Sequence, residues 1–155
     1  YHVHLAHLID SCILMQQAGG EKLMCITMTH LAPPKALGQS SGEGVHVYDE
    51  VRSDVDLSHE ETMAQMGKQF EYKLALALTM ASNYFYFGYA SGHIADGRPL
   101  ESLAPDYPEF KRPLGPPLGP AVKTAPYRYE RRFAHAAVAI DLAARTGRID
   151  WQAVE

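Results

Sequence analysis

Acidic side chains set just beyond the ends of apolar strands are the first residues in this sequence that could do chemistry. Asp96 lies in a glycine-bounded turn, Gly92 to Gly97, shortly after an aromatic run, and Glu50 follows Asp49 in a loop that trails an earlier apolar run. Two carboxyl groups across a cleft are the machinery of glycosidic bond hydrolysis, one protonating the leaving oxygen and the other attacking or activating water. Asp96 and Glu50 are therefore the candidate catalytic pair. Loop acids with no task beyond solvation are also common, and Glu43 shares their surroundings. Around the pair stand Tyr86, Tyr89, His93, His30 and Asp49, the residue types that line sugar sites. Aromatic rings stack on the apolar faces of pyranoses, while imidazole and carboxylate groups satisfy the hydroxyls.

Other chemistries find less. His2 and His4 have the H-x-H spacing of a metal-binding strand end, and His7 follows, but a helix there turns His2 away from His4. Without a full ligand set they read as exposed histidines, and no metal or cofactor is expected. A metal-dependent hydrolase built on His2, His4 and His30 is the third-ranked reading. His30, at the end of a buried strand, also fits a hydrogen-bonded structural role. The sequence carries no nucleophile elbow, P-loop, dinucleotide fingerprint or H-E-x-x-H. Cys12 and Cys25 lack CxxC spacing and read as buried free thiols.

The elements that must position these residues follow from periodicity. Leu5, Leu8, Ile9, Cys12 and Ile13 recur at helical spacing, and Gly19-Gly20 ends that helix. Lys22 to Thr29 is a short apolar run, expected as a strand buried on both faces, as in a parallel sheet. Pro33 to Leu57 reads as a loop, with a possible short strand at Val45–Val47. Ser58 and Glu61 form a capping box that starts a helix whose stripe is Met63, Met66, Phe70, Leu74, Ala77 and Ala81. Then come five aromatics in the six residues Tyr84 to Tyr89. Strand alternation puts Tyr84, Tyr86 and Gly88 on one face and Phe85, Phe87 and Tyr89 on the other. Seven of the ten prolines fall between Asn83 and Ala121. Pro105 to Pro120 is accordingly expected to be ordered but irregular, fastened by burial of Leu114 and Leu118. In the tail, local propensity leans to helix through Phe133, Ala137, Ile140 and Ala144, against a competing alternation of Tyr127, Tyr129, Arg131 and Phe133.

At 155 residues, with 46% hydrophobic and 21% charged content, the chain has the size and balance of one globular domain. Its formal charge of −4 is split. Seven acids between Glu43 and Glu61 face only Arg52, and eight bases between Lys111 and Arg148 face only Glu130 and Asp141. Those bases alternate with aromatic and small residues rather than clustering, which argues for a solvated strand face and against a nucleic-acid partner. No apolar run approaches the ~20 residues that span a bilayer.

Three stretches together carry a resemblance. F-E-Y-K-L-A-L-A-L-T-M-A-S-N-Y-F-Y-F-G-Y-A-S-G, D-Y-P-E-F-K-R-P-L-G-P-P-L-G-P-A and Y-E-R-R-F-A-H-A-A-V-A-I-D-L-A-A-R-T-G-R-I-D-W cover Gln69 to Trp151. This part resembles the C-terminal portion of a group of proteins assigned by inference as glycoside hydrolases with a (β/α)-barrel core. The resemblance implies that the tail is a β-hairpin, about Arg128 to Leu142 then Arg148 to Trp151. It also implies an extracellular or secretory-pathway setting and a glycan as partner. Phe110 and Lys111 stand where the group tends to have Tyr and Asp, which removes one acid.

The expected fold is α/β: a C-terminal portion of a (β/α)8-type barrel spanning 1–126 with a long Pro-rich loop, then a β-hairpin over 127–155. Two buried strands and two helices cannot close a barrel of eight units, so the chain is expected to be a fragment completed by a missing N-terminal half. The group's own catalytic acids are then expected on those missing strands. The chain would act in glycan hydrolysis by supplying substrate-binding walls. The alternative is a non-catalytic carbohydrate-binding or scaffold domain derived from the barrel.

Overall fold

Apolar residues at helical spacing fold the first segment into α1, His2–Ala18, which turns Ala6, Ile9 and Cys12 inward. Gly19 follows with φ +69°, the left-handed conformation that glycine adopts without strain at a helix end. The structure is a computed structural model and describes residues 2–19, 23–29, 59–90 and 106–152. Strand β1 (Leu23–Thr29), helix α2 (His59–Met80) and strand β2 (Tyr84–Ala90) come next, and β1 and β2 pair in a two-stranded sheet. A short 3-10 turn, Pro108–Lys111, precedes β3 (Val122–Ala125), β4 (Arg128–Phe133), β5 (Ala136–Asp141) and β6 (Thr146–Trp151). These last four form an antiparallel meander in the order β3-β4-β5-β6.

The chain is thus mixed α/β, with two helices and a four-stranded antiparallel sheet among the described residues. It divides into two compact units, and the division does not follow chain order. One unit joins Tyr1–Ile26, Phe70–Gly88 and Asp106–Glu155; the other joins Thr27–Gln69 and Tyr89–Pro105. The expected Ser58 cap and the Val45–Val47 strand lie outside the described residues.

The helical leaning of the tail is overturned. Cross-strand pairs Tyr129↔Ile140, Arg131↔Val138, Phe133↔Ala136 and Val138↔Ile149 place the large side chains on one face. Every one of these residues is buried. Ala137 and Ala139 take the opposite face, where small size is no handicap. Burial of a whole apolar face outweighs the few tenths of a kcal/mol that each alanine contributes to helix propensity. The hairpin implied by the resemblance is present as part of a larger sheet, since β3 adds a strand before it. Tyr127 falls in the β3–β4 turn with φ 63°, and its carbonyl accepts the Leu142 N–H at 2.9 Å, tying two turns together.

In the first unit α1 and the C-terminal part of α2 pack on this sheet. Residues 72–80 of α2 are all buried. The helix comes closest at Gly147 on β6, where an added Cβ would lie 2.8 Å from Ala75 Cβ and 3.0 Å from Tyr72 Cα. At the same seam the Ile149 N–H donates to Glu71 Oε1 at 3.2 Å. On the far side of the sheet's face, Tyr129 donates its hydroxyl to Asp10 Oδ1 at 2.9 Å, and Lys123 Nζ reaches Asp10 Oδ2 at 2.8 Å. Burial opposes ionisation of Asp10, but these two donors outweigh it and hold its carboxyl below the usual range.

The end of α2 is held by two side chains. Arg131 is 3% exposed, yet it donates from Nη1 to the carbonyls of Leu78 (3.0 Å), Thr79 (3.5 Å) and Ala81, and from Nε to Gly119 O at 3.3 Å. Gln16 of α1 donates to Thr79 O at 3.1 Å and Ala81 O at 2.9 Å while accepting the Ala121 N–H at 2.9 Å. A cation at the carbonyl end of a helix is favoured by both hydrogen bonding and the helix dipole. Burial lowers the Arg131 guanidinium to about 10, which leaves it charged at neutral pH.

The proline segment is described from Asp106 onward, and two expectations about it fail. It contains one 3-10 turn, and Leu118 is 67% exposed, with Leu114 only half-buried. Backbone pairing fastens it instead: Leu118 N–H to Arg132 O at 2.9 Å, Ala134 N–H to Pro116 O at 2.9 Å and His135 N–H to Leu114 O at 3.1 Å. The segment borrows the end of β4 as a template, so its leucines need not be buried. Gly115, with φ +70°, permits this approach, because a Cβ there would sit 2.6 Å from Ala134 Cβ.

Candidate functional site

Strand alternation on β2 sorts its aromatics into two sets. Tyr84 is 49% exposed and Tyr86 67% exposed, and both project from the face on which Gly88 leaves bare backbone. On the other face Phe85 and Phe87 are half-buried, with ring centroids 6.4 Å apart and nearly parallel. Phe87 meets the edge of Phe110 at 6.0 Å. Phe110 in turn lies against Phe70 at 5.4 Å and Tyr107 at 5.9 Å, while Phe70 and Tyr107 stack. Edge-to-face and offset contacts of this kind are favourable geometries for rings. The strand is therefore braced from behind by an aromatic cluster, and the Tyr84–Tyr86 face is left open in front. Burial raises the Tyr107 hydroxyl above its usual range, with Glu109 adding to the effect.

Two tyrosines at alternate strand positions stand about 7 Å apart along the strand. That presents two flat apolar faces, each with a hydroxyl at its rim. Such a surface can stack on sugar rings and exchange hydrogen bonds with their hydroxyls.

The residues expected at the site fall into three groups. Tyr86 is exposed on this face. Tyr89 is 3% exposed and donates its hydroxyl to the Met66 carbonyl at 3.1 Å, within the second unit, so its ring serves packing. His30, Asp49, Glu50, His93 and Asp96 lie outside the described residues. Tyr84, not named from sequence as a ligand residue, shares the exposed face of Tyr86. The signal for it was the alternation itself, which also separates Tyr89 from Tyr86.

The two departures from the resembled group have local explanations. Phe110 is the junction of the aromatic cluster, a position where a hydroxyl would have no part in the ring contacts. Lys111 forms an ion pair with Asp106, both largely exposed, and such a pair contributes little to stability. On α1, His2, His4 and His7 are exposed, and His2 lies edge-on to Tyr127 at 4.7 Å. Among the described residues no three His, Cys, Asp or Glu side chains gather to hold a metal ion, and no helix is long and apolar enough to cross a membrane. Cys12 is a buried free thiol whose pKa burial pushes up. No known family model and no characterised protein matches this sequence.

Proposed function

We propose that this chain handles carbohydrate, as the C-terminal part of a glycoside-hydrolase-like (β/α)-barrel. The single observation that carries the reading is the exposed Tyr84–Tyr86 face on β2, braced by the Phe85, Phe87, Phe110, Tyr107 and Phe70 cluster. Contiguous exposed apolar surface, rather than a single exposed ring, is what marks binding surfaces, and a flat pair of tyrosines suits the apolar face of a pyranose. On this reading the residues singled out in the sequence keep their expected roles, Asp96 and Glu50 as the acid pair and His30, Asp49, His93 and Tyr86 as sugar-binding residues. Two carboxyl groups ~5–5.5 Å apart would make hydrolysis retaining, and ~6.5–9.5 Å apart inverting. The setting that goes with this reading is the extracellular or secretory-pathway one that the resemblance implies.

A second reading is favoured by one feature of the same face. Tyr86, at 67% exposure, offers an open platform rather than a closed slot, which suits a non-catalytic binding or scaffold domain. Glycan-array binding followed by affinity measurement tests both. Tyr84→Ala and Tyr86→Ala should each weaken binding about tenfold, as loss of an anchoring aromatic does. Asp96→Asn and Glu50→Gln should abolish turnover while sparing affinity if the chain belongs to an enzyme. Binding without hydrolysis supports the second reading, and no glycan bound by the unsubstituted chain refutes both.

A further inference from the structure

Helix α1 has two distinct faces. One turns Ala6, Ile9 and Cys12 inward. Beside it Asp10, the one Asp, Glu, Lys or Arg among the helix's 17 residues, accepts from Tyr129 and Lys123. The opposite face is exposed and therefore carries no acid, lysine or arginine. At about 100° per residue, the helix sets Leu8 and Met15 on one flank of this face and Val3 and Leu14 on the other, with His7 and Ser11 between them. Leu8 is 50% and Leu14 66% exposed. A helix with apolar residues on every side belongs under cover, and a contiguous apolar stripe marks an interaction surface where scattered residues do not.

Three features point to a second copy of this helix as the cover. The stripe is balanced about its midpoint, with His7 and Leu8 before Ser11 and Leu14 and Met15 after it. In an antiparallel pair crossed at Ser11, Leu8 of each copy lies against Met15 of the other and His7 against Leu14. Every contact is then made twice, as a two-fold interface requires. Ser11 itself is small, and its hydroxyl already donates to the His7 carbonyl at 2.9 Å, so burial at the crossing leaves it no lost hydrogen bond. The third feature is electrostatic. The first turn of α1 holds no acid and the last turn no base, so the helix carries no side-chain charge that offsets its own dipole. An antiparallel second copy sets the carbonyl end of one helix beside the amide end of the other and offsets both. A membrane surface fits less well, because helices that bind one carry lysine or arginine on the polar face.

We propose that the exposed face of α1 is a dimerisation surface that takes a second copy of this chain, antiparallel and crossed at Ser11. The contact is one pair of helices, each about 25 Å long at 1.5 Å per residue. That is small beside the ~1,200–2,000 Å² of stable complexes, so the dimer is a weak, exchanging one with a Kd of about 10–100 μM. The proposal is independent of the tyrosine face.

Sedimentation equilibrium of the whole chain from about 1 μM to 1 mM tests it. The unsubstituted chain should pass reversibly from monomer to dimer. Leu8→Lys and Met15→Glu should each raise the Kd about tenfold or more, because each sets a charge against an apolar residue of the second copy. Mixed in equal amounts, the two variants should recover a heterodimer. The new ammonium of one then meets the new carboxylate of the other, and the second Leu8–Met15 contact stays intact. Both positions are exposed, so circular dichroism and Tm at low concentration should match the unsubstituted chain. A chain that stays monomeric through the whole range overturns the proposal and leaves the face to a different partner. Dimers that ignore both substitutions also overturn it, since association then lies elsewhere, and no recovery in the mixture overturns the antiparallel register. Should either variant fail to fold, Ser11→Gln decides: by holding the helices apart at the crossing it should weaken the dimer, and an unchanged Kd overturns the proposal.

Discussion

Gly147 is where α2 and the antiparallel sheet approach most closely, and replacing it with alanine tests that packing directly. The new Cβ would meet Ala75 Cβ at 2.8 Å, Tyr72 Cα at 3.0 Å and Glu71 O at 3.5 Å. Carbon atoms rest about 3.5–4.0 Å apart, so two of these contacts overlap by roughly 0.5–1 Å. The obstructing atoms are helix backbone and a Cβ, not the tip of a flexible side chain, so relief requires moving α2 or bowing β6. Overpacking of this kind costs about 1–3 kcal/mol. Gly147 has an ordinary negative φ, so alanine also restricts the unfolded chain and returns about 0.4–1 kcal/mol. The net expectation is a loss of about 1–2 kcal/mol, or a Tm lower by roughly 3–8 °C for a chain of this size. The hydrogen bond from the Ile149 N–H to Glu71 Oε1 should weaken with it. Trp151, the one tryptophan in the sequence, sits on the same strand two residues past Ile149, so its fluorescence reports unfolding of this sheet. Adding Ala75→Gly to Gly147→Ala should recover part of the loss measured in urea, after allowing about 1 kcal/mol for glycine in a helix. Stability of Gly147→Ala within about 0.5 kcal/mol of the unsubstituted chain would refute the close approach.

Arg131→Met should destabilise by about 2 kcal/mol in urea unfolding, because charge-assisted bonds to Leu78, Thr79, Ala81 and Gly119 are lost, although Leu78 keeps the Ala81 N–H and Thr79 and Ala81 keep Gln16; a neutral or stabilising result would remove Arg131 from the helix-end role. Lys73 has a folded-state amine near 8 against an ordinary 10.5, so the unfolded chain binds more protons between those values and stability should rise with pH there. The difference between the unsubstituted chain and Lys73→Met should therefore close by up to about 3 kcal/mol from pH 8 to 10.5, and a widening gap would contradict the burial of the charge. Asp141 lies below the usual carboxylate range, first through the Ala144 N–H and then through Arg128. Its contribution is present above the ordinary carboxylate value and is lost as pH falls through the lowered one, so Asp141→Asn should flatten the acid limb of the stability profile.

What could be read from the sequence depended on whether one period had a rival. The helices over His2–Ala18 and His59–Met80 and the strand Tyr84–Ala90 have unrivalled patterns, and their boundaries fell within a residue or two of expectation. The tail holds two periods at once: alanine-rich helical spacing and alternation through Tyr129, Arg131 and Phe133. Only the facing helices decide between them, since they bury the Tyr129 and Phe133 face and the end of α2 gives Arg131 the carbonyls of Leu78, Thr79 and Ala81. Leu118 illustrates a different limit. Hydrophobicity suggested burial, whereas backbone hydrogen bonds to β4 hold the segment and leave the side chain outside. At the candidate site, alternation alone separates exposed Tyr84 and Tyr86 from buried Tyr89.

The central claim is that Tyr84 and Tyr86 receive a sugar ring, and ring-proton NMR tests it most directly. The chain, labelled at its tyrosines, would be titrated with soluble oligosaccharides of glucose, galactose and N-acetylglucosamine. The expected result is a saturable upfield shift on the carbohydrate protons, with Tyr84 and Tyr86 ring resonances moving together while buried Tyr89 and Tyr129 stay fixed. Ring resonances of Tyr84 and Tyr86 that stay unmoved through every titration, or shifts confined to other tyrosines, would contradict it.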